Sequence, residues 1–288
     1  MQKMADLLAC LRELAPEELA EPWDNCGLLV GTGREHAERI VVCLDVTREV
    51  VDEAVAKKAD LIICHHPLIF RPLKRVTDES AAGSHIIKLI QNDISVYAAH
   101  TNVDKTYGGL NDLLAGIISL ETEVAGSGNK VAGGGNEALA CYRIGTLPNA
   151  QRVGEFIEYV RKRLKLASLN VNYPPAEAKG NGRRNPNGEK LIEKVVVMCG
   201  ALDIGADKLL SLGADAVVCG EIRHHEILDL SASDILVIQA GHHGTERFFM
   251  SLVEKWIKEQ YPDIEIFRHG FSEPPTLVYN GSILPYNI

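Results

Sequence analysis

Long apolar runs are missing from this sequence of 288 residues. No segment approaches the ~18 apolar residues that a membrane-spanning helix requires, so no membrane partner is expected. Positive charge is in short supply as well. Thirty basic against thirty-nine acidic side chains leave a formal net charge of −9, the wrong sign for affinity gained by neutralising phosphates along a duplex; a nucleic-acid partner is disfavoured. Paired cysteine motifs are absent. Seven cysteines are an odd number, and no C-x-x-C occurs among them, so neither a disulfide framework nor a thiolate zinc knuckle is suggested. Four of them (Cys43, Cys64, Cys199, Cys219) end short apolar runs, where a free thiol behaves as a small hydrophobe, and a reducing, cytoplasmic setting is the expectation. Phosphate cradles are lacking too: the glycine cluster in 125–138 has no Gly-Lys-Ser/Thr ending, and Gly31-Thr32-Gly33 lacks the third glycine of a dinucleotide fingerprint. That argues against a nicotinamide enzyme.

What is present is a composition of 46% hydrophobic and 24% charged residues, that of a soluble globular protein, at a length suited to two compact lobes or one large α/β domain. Met1, Met4, Leu7, Leu8, Leu11 and Leu14 recur at helical spacing and predict an amphipathic helix rather than a signal peptide. Strand-like runs at 40–46, 59–66 and 94–100 alternate with helical patterns, as in a parallel sheet. The plan recurs at 195–200, 214–221 and 235–243. An offset of 155 lays Ala59-Asp60-Leu61-Ile62-Ile63-Cys64 on Ala214-Asp215-Ala216-Val217-Val218-Cys219. The expected fold is therefore α/β: two related lobes with mostly parallel sheets, 1–124 and 125–288, the C-terminal segment free to pack back on the first. Between the repeats, 125–138 and 173–189 read as loops, with one strand-helix unit from Cys141 to Leu166.

Chemistry collects at the strand ends. Seven of the ten histidines (His65, His66, His100, His224, His225, His242, His243) fall at or just beyond the C-terminal ends of these runs or in the turns that follow, where ligands bind in open α/β sheets. Pro67 after His65-His66 ends the ladder, so the two rings can diverge by less than opposite faces of a strand and serve neighbouring metals; a surface or capping pair is the alternative. Asp104 in His100-Thr101-Asn102-Val103-Asp104 is a hard carboxylate ligand candidate, with His100 and Asn102 able to orient water or ligands, although the same residues suit a plain turn. In Gly241-His242-His243-Gly244-Thr245-Glu246, a helix opening near His242 puts His242 and Glu246 on one face; a capped helix with an incidental histidine is the alternative. Three imidazoles and two carboxylates suit a pair of divalent ions bridged by a carboxylate, ~3.5–4 Å apart; zinc, manganese or iron all fit nitrogen and oxygen donors. Glu221 and His225, where the repeat offset places the counterpart of His65-His66, are candidate proton carriers or substrate contacts, with a role in supporting other ligands or in an interface as the alternative.

With these segments assembled, the chain resembles the GTP cyclohydrolase 1 type 2 homologues, also called Nif-three-like dinuclear metal proteins. The resemblance is carried by Trp23-Asp24-Asn25-Cys26-Gly27-Leu28-Leu29-Val30-Gly31, His65-His66-Pro67, His100-Thr101-Asn102-Val103-Asp104 with Gly109-Leu110-Asn111-Asp112, Gly220-Glu221 with His224-His225, and the closing Gly-His-His-Gly-Thr-Glu. It implies that His65 and Asp104 hold one ion, His66 and His242 the other, with Glu246 bridging, and that the chain forms a toroidal homohexamer whose sites face an internal cavity. It also implies hydrolytic opening of the guanine imidazole ring of GTP with formate release. The expectation is thus a dinuclear metal-dependent hydrolase for a nucleotide-like small molecule, with catalytic candidates His100, Glu221 and His225. The alternative is a metal-binding hexameric assembly or scaffold without turnover, since fold and metal do not identify a substrate.

Overall fold

The computed structural model describes residues 2–123, 140–172, 188–231 and 233–270. The glycine-rich stretch 125–138 and the part 173–187 of the second expected loop lie outside the described residues. The amphipathic pattern at the start forms α1 (Met4–Leu14), whose buried residues are Met4, Leu7, Leu8 and Leu11. The first sheet then grows through β1 (Gly27–Val30), β2 (Arg39–Cys43), α2 (Arg48–Lys57), β3 (Leu61–Cys64), α3 (Ala81–Gln91) and β4 (Ser95–Ala98). The caps are local. The Thr47 hydroxyl accepts from the Val50 amide, that of Ser80 from the Gly83 amide, supplying acceptors to otherwise orphaned first-turn donors. A five-residue helix, α4 (Thr101–Lys105), and α5 (Leu110–Ile117) follow.

The second sheet is built from β5 (Glu121–Glu123), β6 (Arg143–Arg152), α6 (Val153–Arg163), β7 (Asn170–Asn172), β8 (Leu191–Ala201), α7 (Ala206–Ser211), β9 (Ala216–Glu221), α8 (His224–Ser231) and β10 (Leu236–Gln239). After it come α9 (His242–Glu246) and α10 (Phe249–Gln260), and β11 (Glu265–Arg268) returns to the first sheet as the parallel neighbour of β2. The strand orders are β11-β2-β3-β4-β1 and β5-β6-β8-β9-β10-β7. In both, three successive parallel strands form the centre and a short antiparallel strand flanks the third. Both sheets are thus mixed, the second more so, because β6 pairs antiparallel with both β8 and β5.

The repeat is visible in single hydrogen bonds. Asp60 Oδ2 accepts the amides of Glu38 and Arg39 at 2.7 and 2.9 Å. Asp215 Oδ2 accepts those of Glu193 and Lys194 at 3.0 and 2.9 Å, every one of these residues displaced by the same 155 positions. Alternation along the strands sorts side chains to two faces. Ile40, Val42 and Ile63 join Val195, Val197 and Ile238 in one core that also takes in α1, α5, α6 and α10, while Val41, Cys43 and Ile62 pack under α2 and α3 and Val196, Met198 and Val217 under α7 and α8. With both faces covered, the central strands read as unbroken apolar runs. The third parallel strand of each sheet runs into a five-residue helix, α4 or α9. Among the described residues, no helix is long and apolar enough to cross a membrane.

Candidate metal centre

His65 and His66 leave β3 still tied to the end of β2: the His65 amide donates to the Cys43 carbonyl at 3.2 Å and the His66 amide to the Leu44 carbonyl at 2.9 Å. Their rings lie with centroids 5.0 Å apart at 49°, tilted toward one another rather than on opposite faces. His65 is fully buried, and its Nδ1 sits 2.9 Å from the Ala99 carbonyl. A carbonyl can only accept, so Nδ1 carries the hydrogen and Nε2 presents a lone pair. That Nε2 stands 3.6 Å from Glu246 Oε1 and 4.0 Å from Asp104 Oδ1. Residues 181 positions apart in the chain are thus in one cluster.

The other imidazoles repeat the arrangement. His66 Nδ1 is 2.9 Å from Asp45 Oδ1, and its Nε2 is 3.0 Å from Glu246 Oε2 and 3.3 Å from His242 Nε2. His242 opens α9, so the four-residue spacing brings its Nε2 to 3.1 Å from Glu246 Oε1. Its Nδ1 faces Glu221 Oε1 at 3.2 Å. His100 places Nδ1 2.8 Å from Asp24 Oδ1. An acceptor on one ring nitrogen fixes the tautomer and leaves the other for a ligand, the usual support of metal-binding histidine. Ligand atoms of His65, His66 and His100 lie within 4.8 Å of one another, as do those of His66, His242 and Glu246.

Electrostatics sharpen the case. Burial, reinforced by the Glu246 charge, raises the Asp104 carboxyl well above the usual range. Glu246 is 2% exposed; burial opposes its charge, but the surrounding imidazoles of His65, His242 and His66 outweigh that and hold the carboxyl low. For His66, burial likewise opposes protonation, and the carboxylates of Asp45 and Glu246 push it up to about 10. Burial lowers His65. Among the described residues, His65 Nε2, Asp104 Oδ1 and Glu246 Oε2 are buried without a hydrogen-bond partner, the last 3.0 Å from His66 Nε2. Buried polar atoms are ordinarily paired, and a cation would complete all three together. Among the described residues neither ligand group includes a cysteine, and burial pushes the Cys64 thiol up to about 12 and that of Cys199 well above its ordinary value. The donors therefore fit a divalent ion with nitrogen and oxygen preferences.

Two glycines make room. A Cβ on Gly200, whose φ is +64°, would stand 2.4 Å from Glu246 Oε1, and one on Gly220 would stand 2.5 Å from the Gly200 carbonyl oxygen. Asn111, fully buried, donates to the Asp104 carbonyl at 3.1 Å and accepts from the Cys199 amide at 2.8 Å, tying α4 to β8. Thr245 accepts from the Gly200 amide at 3.0 Å.

Of the residues singled out from sequence, His65, His66, Asp104, His242, Glu246 and His100 are brought together. Glu221 contacts the cluster through His242. His225 is exposed in the first turn of α8, and among the described residues no hydrogen bond or ion pair ties it to the cluster. Sequence reasoning missed the supporting carboxylates Asp24 and Asp45. Asp45 carried a usable signal, an acid just past the apolar run of β2; Asp24 lies in no such run.

Two linked α/β lobes that enclose a buried cluster of imidazoles and carboxylates define a two-lobed α/β protein with a candidate metal centre. The model of the Duf34/NIF3 (NGG1p interacting factor 3) family matches residues 2–275, and the chain belongs to that family. It is 30% identical over 285 residues to a GTP cyclohydrolase 1 type 2 homolog of Clostridium acetobutylicum, covering 99% of this chain and 98% of that one. It is also 31% identical over 256 residues to NIF3-like protein 1 of Drosophila melanogaster, covering 86% and 80%. Among solved structures, a hypothetical protein of Staphylococcus aureus superposes with a TM-score of 0.79 at 23% identity, covering 96% of this chain and 99% of the other. A Bacillus cereus protein related to NIF3 gives 0.76 at 23%, with the same coverage.

Proposed function

We propose that the chain holds two divalent cations between its lobes and hydrolyses a nucleotide-like small molecule. Opening of the guanine imidazole ring of GTP is the first reaction to assay, because relatives at 30% identity carry the name GTP cyclohydrolase 1 type 2 homolog. In this reading His65 and Asp104 hold one ion, His66 and His242 the other, and Glu246 bridges them. The observation that supports it most is that, among the described residues, the buried atoms His65 Nε2, Asp104 Oδ1 and Glu246 Oε2 converge without a hydrogen-bond partner; a buried polar atom left unsatisfied costs roughly 1–3 kcal/mol.

Bound there, zinc, manganese or iron(II) supplies Lewis-acid polarisation and a nucleophile at neutral pH. The chain's own residues hold and orient. The Ala99 carbonyl, Asp45 and Glu221 fix the rings of His65, His66 and His242, and His100, braced by Asp24, is the group poised to carry a proton of the substrate. Glu221 and His225, both exposed, are assigned to substrate contact or proton transfer at the rim. Family resemblance further supports a homohexamer with its sites on an internal cavity, and the seven free thiols suit a reducing, cytoplasmic compartment.

The test is metal per chain in protein purified without an affinity column, followed by incubation with GTP and a panel of phosphoesters alongside Glu246→Ala. Turnover lost in the variant together with the ions supports the hydrolase. Two tightly held ions with no turnover on any substrate favour the metal-binding assembly instead, and sedimentation checks the hexamer.

A further inference from the structure

Beside the donor cluster, two large aromatic side chains stand in solvent: Trp23 is 55% and Phe70 46% exposed. Their ring centroids are 5.9 Å apart at 66°. The His100 imidazole completes a corner, 6.3 Å from Trp23 at 72° and 6.4 Å from Phe70 at 83°. His100 in turn lies 5.1 Å from His65 and 5.6 Å from His66, so the aromatic group abuts the donor cluster. Exposed aromatic surface beside a polar cluster is the mark of a ligand contact, and rings set steeply to one another each leave a face for stacking or an edge for T-shaped contact.

Hydrogen bonds fix the corner in place. Asp24, next to Trp23, is held by the Thr101 amide at 3.1 Å and by His100 at 2.8 Å. Burial opposes its charge, but the His100 and Thr101 hydrogen bonds prevail and keep its carboxyl below the usual range. Asn25 donates its side-chain amide to the carbonyl of Ile69, next to Phe70. The loops carrying the two aromatics are therefore joined to each other and to the metal centre, an arrangement ordered before any ligand arrives. Following Phe70 in the sequence, Arg71, Lys74 and Arg75 are all exposed, a run of positive charge in a chain of net charge −9 able to attract an anionic ligand.

We infer that Trp23, Phe70 and His100 form a docking corner for the planar heteroaromatic ring of an anionic small molecule, presented to the cluster around Glu246. The inference rests on the proposed hydrolase reading for the meaning of that orientation, not for the binding itself. Base stacking on an aromatic side chain tolerates different bases, so purine nucleotides generally are expected to dock.

Calorimetry on the full, metal-loaded chain with GTP, ATP and inorganic tripolyphosphate tests it. Trp23→Ala and Phe70→Ala are each expected to weaken both nucleotides by about tenfold. Trp23→Phe should recover most of the loss, and tripolyphosphate affinity and metal per chain should match the parent. Because the other tryptophan, Trp256, is 9% exposed, quenching of fluorescence by nucleotide reports chiefly on Trp23. No binding of either nucleotide by the parent, equal nucleotide affinity in the alanine variants, a parallel fall for tripolyphosphate, or a changed assembly size in those variants would each overturn the corner, the last by marking the pair as an interface between copies. Nucleotide binding that follows the expected pattern without turnover removes the hydrolase and leaves the corner; turnover in Trp23→Ala with unchanged KM removes the corner and leaves the hydrolase.

Discussion

Glu246 faces His65 and His242 with one carboxylate oxygen and His66 with the other, whereas Asp104 approaches His65 at 4.0 Å. A ligand shared by two ions costs both when removed. Glu246→Ala is therefore expected to lose more metal than Asp104→Ala, read as metal per chain by plasma emission; equal losses would contradict the bridging role. Asp45 acts one step back. Its hydrogen bond to His66 Nδ1 sets which nitrogen faces the cluster, and loss of such a partner typically lowers metal affinity about 10- to 100-fold. Asp45→Ala should show that drop in a competition titration against a chelator, and an unchanged affinity would mean that the His66 ring is fixed by packing alone. Sequence pattern exposes the first kind of residue and hides the second. His65, His66, Asp104, His242 and Glu246 each follow an apolar run and so announce a strand-end site; Asp45 shares that placement, but its supporting role, like that of Asp24, is set by an imidazole 21 or 76 positions away.

The same division holds for elements. The six central strands were legible because burial on both faces makes each a continuous apolar run. Four short strands, β1, β5, β7 and β11, were not: three or four residues long, they are strands by virtue of the neighbour they pair with rather than by their own propensity. The five-residue helix α4 read equally well as a turn, since one helical turn and a tight bend use the same residues. What the repeat offset did reveal is physically specific. Asp60 and Asp215 are buried, 5% and 8% exposed, and each accepts two amides in or just before a central strand, those of Glu38 and Arg39 at the start of β2 and those of Glu193 and Lys194 within β8. Removing either carboxylate strands those donors, so Asp60→Ala and Asp215→Ala should each lower unfolding free energy by about 1–3 kcal/mol in urea titrations. As the staples belong to different sheets, the double variant should show nearly the sum. A change below ~0.5 kcal/mol in either single variant would make the matched hydrogen bonds incidental to stability.

At the scale of the whole molecule, the donors come from both repeats. His65, His66 and Asp104 arrive at the end of β3 and on α4, His242 and Glu246 on α9, and the lobes also meet through a shared core, the Asn111 hydrogen bond to Cys199 and the pairing of β11 with β2. A cation held by all of these couples the lobes, because unfolding either one destroys the site, and an ion that binds only the folded state stabilises it by about 2.7 kcal/mol at a free concentration 100 times its Kd. For a chain of this size each kcal/mol moves Tm by roughly 2–4 °C. Stripping metal with a chelator should thus lower Tm by about 5–10 °C, and readdition of zinc, manganese or iron(II) should restore it in the order of their affinity. Buried carboxylates without their counter-charge add to the effect, Asp104 above all, whose burial already disfavours the charged form. Glu246→Ala supplies the control: it should unfold at one temperature with or without chelator. If the parent chain's Tm is likewise indifferent to chelation, the buried cluster is a hydrogen-bonded polar core and not a place where ions reside.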